Sequence, residues 1–136
     1  MKNLKKLSWI LLSVLLISHT VSCKKKEKEI DYQALLKESP WNLLKIVEYD
    51  AATGQALQTN MFQNAVVIYK DNGKYDFKVN GNPVITDGIY QFIRDAEPMK
   101  LIMDGDSFII IVFEEDELVL ESEDKTDDYE KIYMSR

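Results

Sequence analysis

Between Lys74 and Val79 the chain alternates strictly, with Tyr75, Phe77 and Val79 on one face and Lys74, Asp76 and Lys78 on the other. A period of two is the mark of a half-buried strand. The segment before it, 65–70, is an apolar strand, and Asp71-Asn72-Gly73 joins the two. Asn-Gly accepts the positive φ angles that tight hairpins need. Asn80-Gly81-Asn82-Pro83 marks a further turn. Strands are then predicted over 88–93, 99–103, 107–113, 117–121 and 129–134, with acidic or glycine-containing turns between most of them. The run from Phe108 to Phe113 is apolar throughout, which predicts cover on both faces. Segment 41–49 is mixed, with apolar residues on both faces. Segment 51–64 is polar, with Thr53-Gly54 as a turn. It reads as the longest irregular loop, a candidate lid or partner surface.

One helix is predicted, near 30–38. Tyr32, Leu35 and Leu36 fall at helical spacing and Pro40 stops the run. Seven or eight short strands with frequent turns point to an antiparallel barrel or sandwich.

The longest apolar run lies outside this region. Leu7 to Ile17 is broken only by Ser8 and Ser13, behind Lys2, Lys5 and Lys6. A short apolar core behind a basic start is the pattern of a secretory signal peptide. A spanning helix needs roughly 20 apolar residues, more than this run supplies. Thr20-Val21-Ser22-Cys23 resembles the lipobox of bacterial lipoproteins, with Thr20 standing where Leu is usual. That resemblance implies cleavage before Cys23 and acylation of its thiol. Cys23 is the only cysteine, so no internal disulfide forms. Lys24-Lys25-Lys26-Glu27-Lys28-Glu29 reads as a solvated tether. The expected organisation is signal 1–22, lipidated Cys23 with its tether 23–30, and one domain 31–136.

Charge narrows the partners. Without residues 1–22 the chain keeps 14 basic and 23 acidic residues, a formal charge of −9. From Asp31 onward there are 10 basic and 21 acidic residues, or −11. Nucleic acid is not an expected partner, because phosphate binding needs a basic face. Anionic lipid repels such a body, so the tether and its lipid carry the membrane attachment.

Chemistry is sparse. The single histidine, His19, falls in the segment expected to be removed. No Ser-His or Cys-His pair, His base or zinc site is available to the mature domain. Ser122-Glu123-Asp124-Lys125 spells Ser-x-x-Lys in a charged turn, where that chemistry needs both groups on one helix face. Asp104-Gly105-Asp106, Glu114 to Glu117 and Asp124 to Asp128 lack the spacing of a calcium loop. They read as solvated turns guarding the apolar strand 108–113. No enzyme activity, metal or cofactor is expected.

The order of elements resembles the small lipocalin-like lipoprotein domains of the Bacteroidota. The residues that carry the resemblance are Trp41, Lys70-Asp71-Asn72-Gly73-Lys74-Tyr75, Asp87-Gly88-Ile89-Tyr90, the apolar pair through Leu101 to Phe113, Glu117-Leu118-Val119-Leu120, and Tyr129 to Tyr133. It covers the chain from Pro40 to the C-terminus. It implies an all-β, antiparallel up-and-down β-barrel with a short N-terminal helix. Trp41 would match the Trp on that family's first strand, although the Gly usual two residues earlier is replaced by Ser39. If the barrel is hollow, Trp41, Tyr75, Phe77, Tyr90, Phe92 and Met103 are the expected ligand-binding residues, since pockets are mostly apolar and aromatic. If it is filled, the same side chains are core. The leading expectation is a membrane-anchored envelope lipoprotein, outer-membrane and facing the periplasm or cell surface, that binds a small apolar ligand. The alternative is an accessory subunit with a filled barrel that docks to another envelope protein.

Overall fold

Asp31 starts the helix by accepting the Ala34 N–H at 3.1 Å, which satisfies one of the donors a helix N-terminus leaves free. This is α1 (Tyr32–Lys37), in a computed structural model that describes residues 29–136. The segment expected to be a signal peptide, and Cys23, lie outside the described residues. Nine strands follow: β1 (Trp41–Tyr49), β2 (Ala56–Met61), β3 (Ala65–Tyr69), β4 (Lys74–Val79), β5 (Asn82–Ile93), β6 (Lys100–Met103), β7 (Asp106–Phe113), β8 (Glu117–Ser122) and β9 (Tyr129–Ser135).

Every pairing is antiparallel. The order β1-β3-β4-β5-β6-β7-β8-β9 returns to β1 through pairs such as Leu43↔Met134 and Ile46↔Ile132. Eight strands therefore close a barrel; turn spacing and alternation predict a barrel or a sandwich, and the resemblance implies the barrel. The ninth, β2, lies outside the closed ring. It pairs with the second half of β1, from Lys45↔Met61 to Tyr49↔Ala56, while β3 takes the first two residues, Trp41 and Asn42.

Two segments differ from the sequence reading. Segment 51–64 contains β2 rather than an irregular loop. All six β2 side chains are exposed, so β2 forms by backbone pairing alone and leaves no hydrophobic alternation to detect. The turn at 80–83 is shorter than expected. Asn80 and Gly81 both take positive φ, which completes a two-residue hairpin, and Pro83 already belongs to β5. The far flank of β5 is unpaired until Tyr90, and a proline is tolerated on such an edge.

The apolar run in β7 is fully covered on one side only, with Ile109 and Val112 half-buried on the other. Ile110 and Phe113 are buried while Ile111 is exposed, and a shift between Ile110 and Val112 re-aims the strand. A similar shift between Leu43 and Lys45 turns both Leu43 and Ile46 inward.

The end of the barrel beside α1 is plugged. Leu36 and Trp41 are fully buried. Phe113 packs against Tyr32 at 5.1 Å, Trp41 at 6.1 Å and Phe92 at 6.1 Å between ring centres. Arg136 ties β9 to the same end by ion-pairing with Glu38 and donating to the Leu35 carbonyl.

Candidate functional site

The barrel interior is not completely filled. Bulged β1 contributes Leu43 and Ile46, β3 contributes Val67 and Tyr69, and β4 contributes Tyr75 and Phe77 around a partly open cavity of about 160 Å³. Ile85, Met103, Leu120, Ile132 and Met134 complete the wall, and Phe62 reaches in from the β2–β3 connection. The lining is almost wholly apolar.

The polar group of interest is the Tyr69 hydroxyl. Tyr69 is 3% exposed, and its hydroxyl donates to Met103 Sδ at 3.5 Å. A thioether is a weak acceptor. Burial, and then the neighbouring Tyr75 and Tyr90, push the Tyr69 pKa far up. The side chain is therefore a neutral donor, poorly satisfied, at the cavity wall. The other two tyrosines nearby are better served. The Tyr75 hydroxyl donates to Asp104 at 2.6 Å, and that of Tyr90 to the Lys70 carbonyl at 2.7 Å.

Of the six residues singled out from sequence, Tyr75, Phe77 and Met103 come together on the cavity. Trp41 and Phe92 pack around Phe113 at the plugged end. Tyr90 lies behind the wall, edge-on to Tyr69 at 5.0 Å. Tyr69 and Phe62 stand only in the wider set of strand aromatics that the sequence offers, and nothing in it singles out the aliphatic side chains of the wall. The alternation 65, 67, 69 in the third strand was the available signal for Val67 and Tyr69.

Beyond Ile46 and Ile132, two residues further on the same faces, stand Glu48 and Glu130. They face each other across β1 and β9. Like charges directly opposite are unfavourable in a sheet, and neither carboxylate forms an ion pair among the described residues. They make the rim near the cavity acidic.

No family model matches the chain, and neither the curated proteins nor the solved structures contain a significant match.

The other motifs from sequence take structural places. Ser122 accepts the Glu130 N–H at 3.0 Å, and Lys125 bonds Glu121 rather than Ser122. Neither sits on a helix. Among the described residues no three acidic or other ligating side chains converge. The acidic side chains are taken up by protein partners: Glu123 accepts from Lys100 and Ser107 on neighbouring strands, and Asp124 from the nearby Thr126 N–H.

These bonds set a pH dependence. Lys70 and the Asp87 N–H hold the Asp76 carboxyl below the ordinary value of 3.8. Tyr75 and the Ile89 N–H do the same for Asp104. Burial alone would raise Glu121, but Lys125 and Lys131 outweigh it and hold its carboxyl below 4.5. Carboxyls depressed in the folded state stabilise it above their unfolded pKa, and that stability is lost as pH falls through the folded value. The melting temperature is therefore expected to stay level from about pH 7 to 5 and to fall steadily below about pH 4.5. Circular dichroism melts across that range check it. A level profile down to about pH 3 would contradict the assignment.

Proposed function

We propose that this chain is a membrane-anchored, non-enzymatic envelope lipoprotein whose lipocalin-like barrel binds a small apolar ligand. The observation that carries the reading is the 160 Å³ apolar cavity with the buried Tyr69 hydroxyl on its wall. An apolar cavity of about 150 Å³ stays dry and takes a guest of benzene size. Drug-sized ligands need roughly 300 Å³ or more. The ligand is accordingly one small ring, a short alkyl chain, or the end of a longer one. Tyr69 favours a guest with one hydrogen-bond acceptor, such as a small ketone. Glu48 and Glu130 disfavour a carboxylate at the rim. The basic start, apolar run and Cys23 support export and acylation, with the protein in the outer membrane facing the periplasm or the cell surface.

A second reading has one observation in its favour. The α1 half is solid, with Trp41, Leu36, Leu101 and Leu118 fully buried. A barrel that is filled in function would serve as an accessory subunit docking to another envelope protein.

Methionine-methyl NMR separates the two. Met103 and Met134 line the cavity, whereas Met61 is 71% exposed. Benzene and cyclohexanone are expected to shift Met103 and Met134 and to leave Met61 unmoved. Hexanoate is expected to bind more weakly than hexylamine. Tyr69→Phe should leave benzene binding intact and weaken cyclohexanone about 3- to 10-fold, the worth of one hydrogen bond. Saturating benzene with no change at Met103 or Met134 would sink the binding reading and leave the accessory one.

A further inference from the structure

Among the described residues the outer side of β2 and the far flank of β5 are free edges, and the chain treats them differently. The unpaired flank of β5 carries Pro83, Asp87 at positive φ, and register shifts against β4. Proline, charge and irregularity are the devices that keep an edge from pairing. β2 has neither proline nor charge. Its one irregularity lies at the turn end, opposite Glu48 and Tyr49. Among the described residues its only pairing is with β1.

The backbone of β2 is ready to accept a strand. Phe62 N–H donates to the Leu44 carbonyl at 3.0 Å. That bond fixes the phase of the ladder, so Asn60 and Gln58 bond toward β1. Thr59 and Met61 then turn their N–H and C=O groups to the free side.

We propose that this edge pairs with β2 of a second copy of the chain, antiparallel about Thr59, so that one sheet runs through two barrels. The strand is complementary to itself in that register. Thr59 meets its own copy, Leu57 meets Met61, and Gln58 meets Asn60. Leu57 and Met61 are large exposed apolar side chains, 54% and 71% accessible, and the pairing covers both. Charge points to the same occupant. The domain from Asp31 carries −11, yet residues 51–69 carry no charge at all. Two such bodies meeting elsewhere would oppose carboxylates, and at β2 they oppose none. A basic partner strand would find no carboxylate on β2 itself to pair with. Two six-residue strands bury less than the roughly 1,200–2,000 Å² of a stable interface. The association is therefore weak in dilute solution, on the order of 100 µM.

Disulfide trapping in membranes of cells expressing the full chain tests the contact. In a hydrogen-bonded antiparallel pair the facing Cα atoms stand about 5.5 Å apart, within disulfide reach. Thr59→Cys is expected to give a dimer on mild oxidation. Thr53→Cys, in the β1–β2 turn, and the wild type with Cys23 alone should give none. Sedimentation of the purified chain should show dimer growing with concentration and rising several-fold with added salt, which screens the like charges. Thr59→Lys and Thr59→Pro should abolish it without altering the melting temperature, since β1 does not use the Thr59 N–H. Loss of the fold in one of these variants leaves the other and the trapping to decide. A chain monomeric at millimolar concentration, with no disulfide-linked dimer from Thr59→Cys, overturns the proposal. So does a dimer indifferent to Thr59→Lys, a dimer dissociated by salt, or capture of a different protein at position 59.

Discussion

Trp41→Ala is expected to destabilise the barrel by about 3–5 kcal/mol, the range for removing a buried aromatic side chain. Trp41 has no solvent exposure. Its indole N–H donates to the Leu36 carbonyl at 2.9 Å, at the end of α1. The Arg136 guanidinium lies 4.4 Å from the ring centre, and Phe113 packs edge-on against it. One side chain thus holds the helix, the first strand, the seventh strand and the C-terminus together. Alanine leaves a void that these four elements cannot all close, and it strips the Leu36 carbonyl of its donor. Small domains have about 5–15 kcal/mol in total, so the variant should sit near the limit of folding.

Urea denaturation gives the measurement. Trp41→Phe is the instructive companion, because it keeps an aromatic ring in place while removing the N–H and part of the ring volume. Its expected cost is smaller, about 1–2 kcal/mol. A loss under about 1 kcal/mol for Trp41→Ala would mean that α1 is an appendage rather than the plug of the core.

The strands and hairpins are legible because their turns and faces are written locally, whereas closure into a barrel rather than a sandwich rests on the resemblance. Asn72-Gly73 and Asn80-Gly81 sit at hairpins, and Tyr75 and Phe77 share the inward face that their spacing predicts. What escaped was written non-locally. β2 exists because β1 offers it a partner, and its exposed side chains carry no trace of that. Ile46 lines the cavity only because a bulge between Leu43 and Lys45 moves the inward set by one position. No residue type there announces a bulge. The six aromatic and sulfur-containing candidates were chosen by chemistry. Whether each meets the cavity or the plug depends on height along the barrel, which the stagger of distant strands decides. Trp41 and Phe92 fall at one end, and Tyr75, Phe77 and Met103 at the other.

Gly88 carries the second large effect, and it joins stability to the site. Its backbone does not take the positive φ that reserves a position for glycine. Space reserves it instead. A Cβ there would stand 2.5 Å from Tyr75 Cε1, 2.8 Å from its Cζ and 2.9 Å from Ile85 Cγ2. Gly88 is the direct partner of Tyr75 across β4 and β5, so the ring lies over the bare glycine. Alanine must push the ring aside. The Tyr75 hydroxyl then leaves Asp104, which also accepts the Ile89 N–H at 2.8 Å. Overpacking costs about 1–3 kcal/mol, and a hydrogen bond to a charged group adds about 1.5–3 kcal/mol. The expected loss for Gly88→Ala is about 3 kcal/mol. Tyr75 and Ile85 both line the cavity, so the same change should perturb the Met103 methyl signal and weaken benzene binding. A double-mutant cycle assigns the cause, because it isolates the coupling between the two positions. In a Tyr75→Ala background the ring is gone, and Gly88→Ala should then cost less than about 1 kcal/mol. An undiminished cost would shift the clash from Tyr75 to Ile85 and the β5 backbone, and would detach the cavity from this glycine.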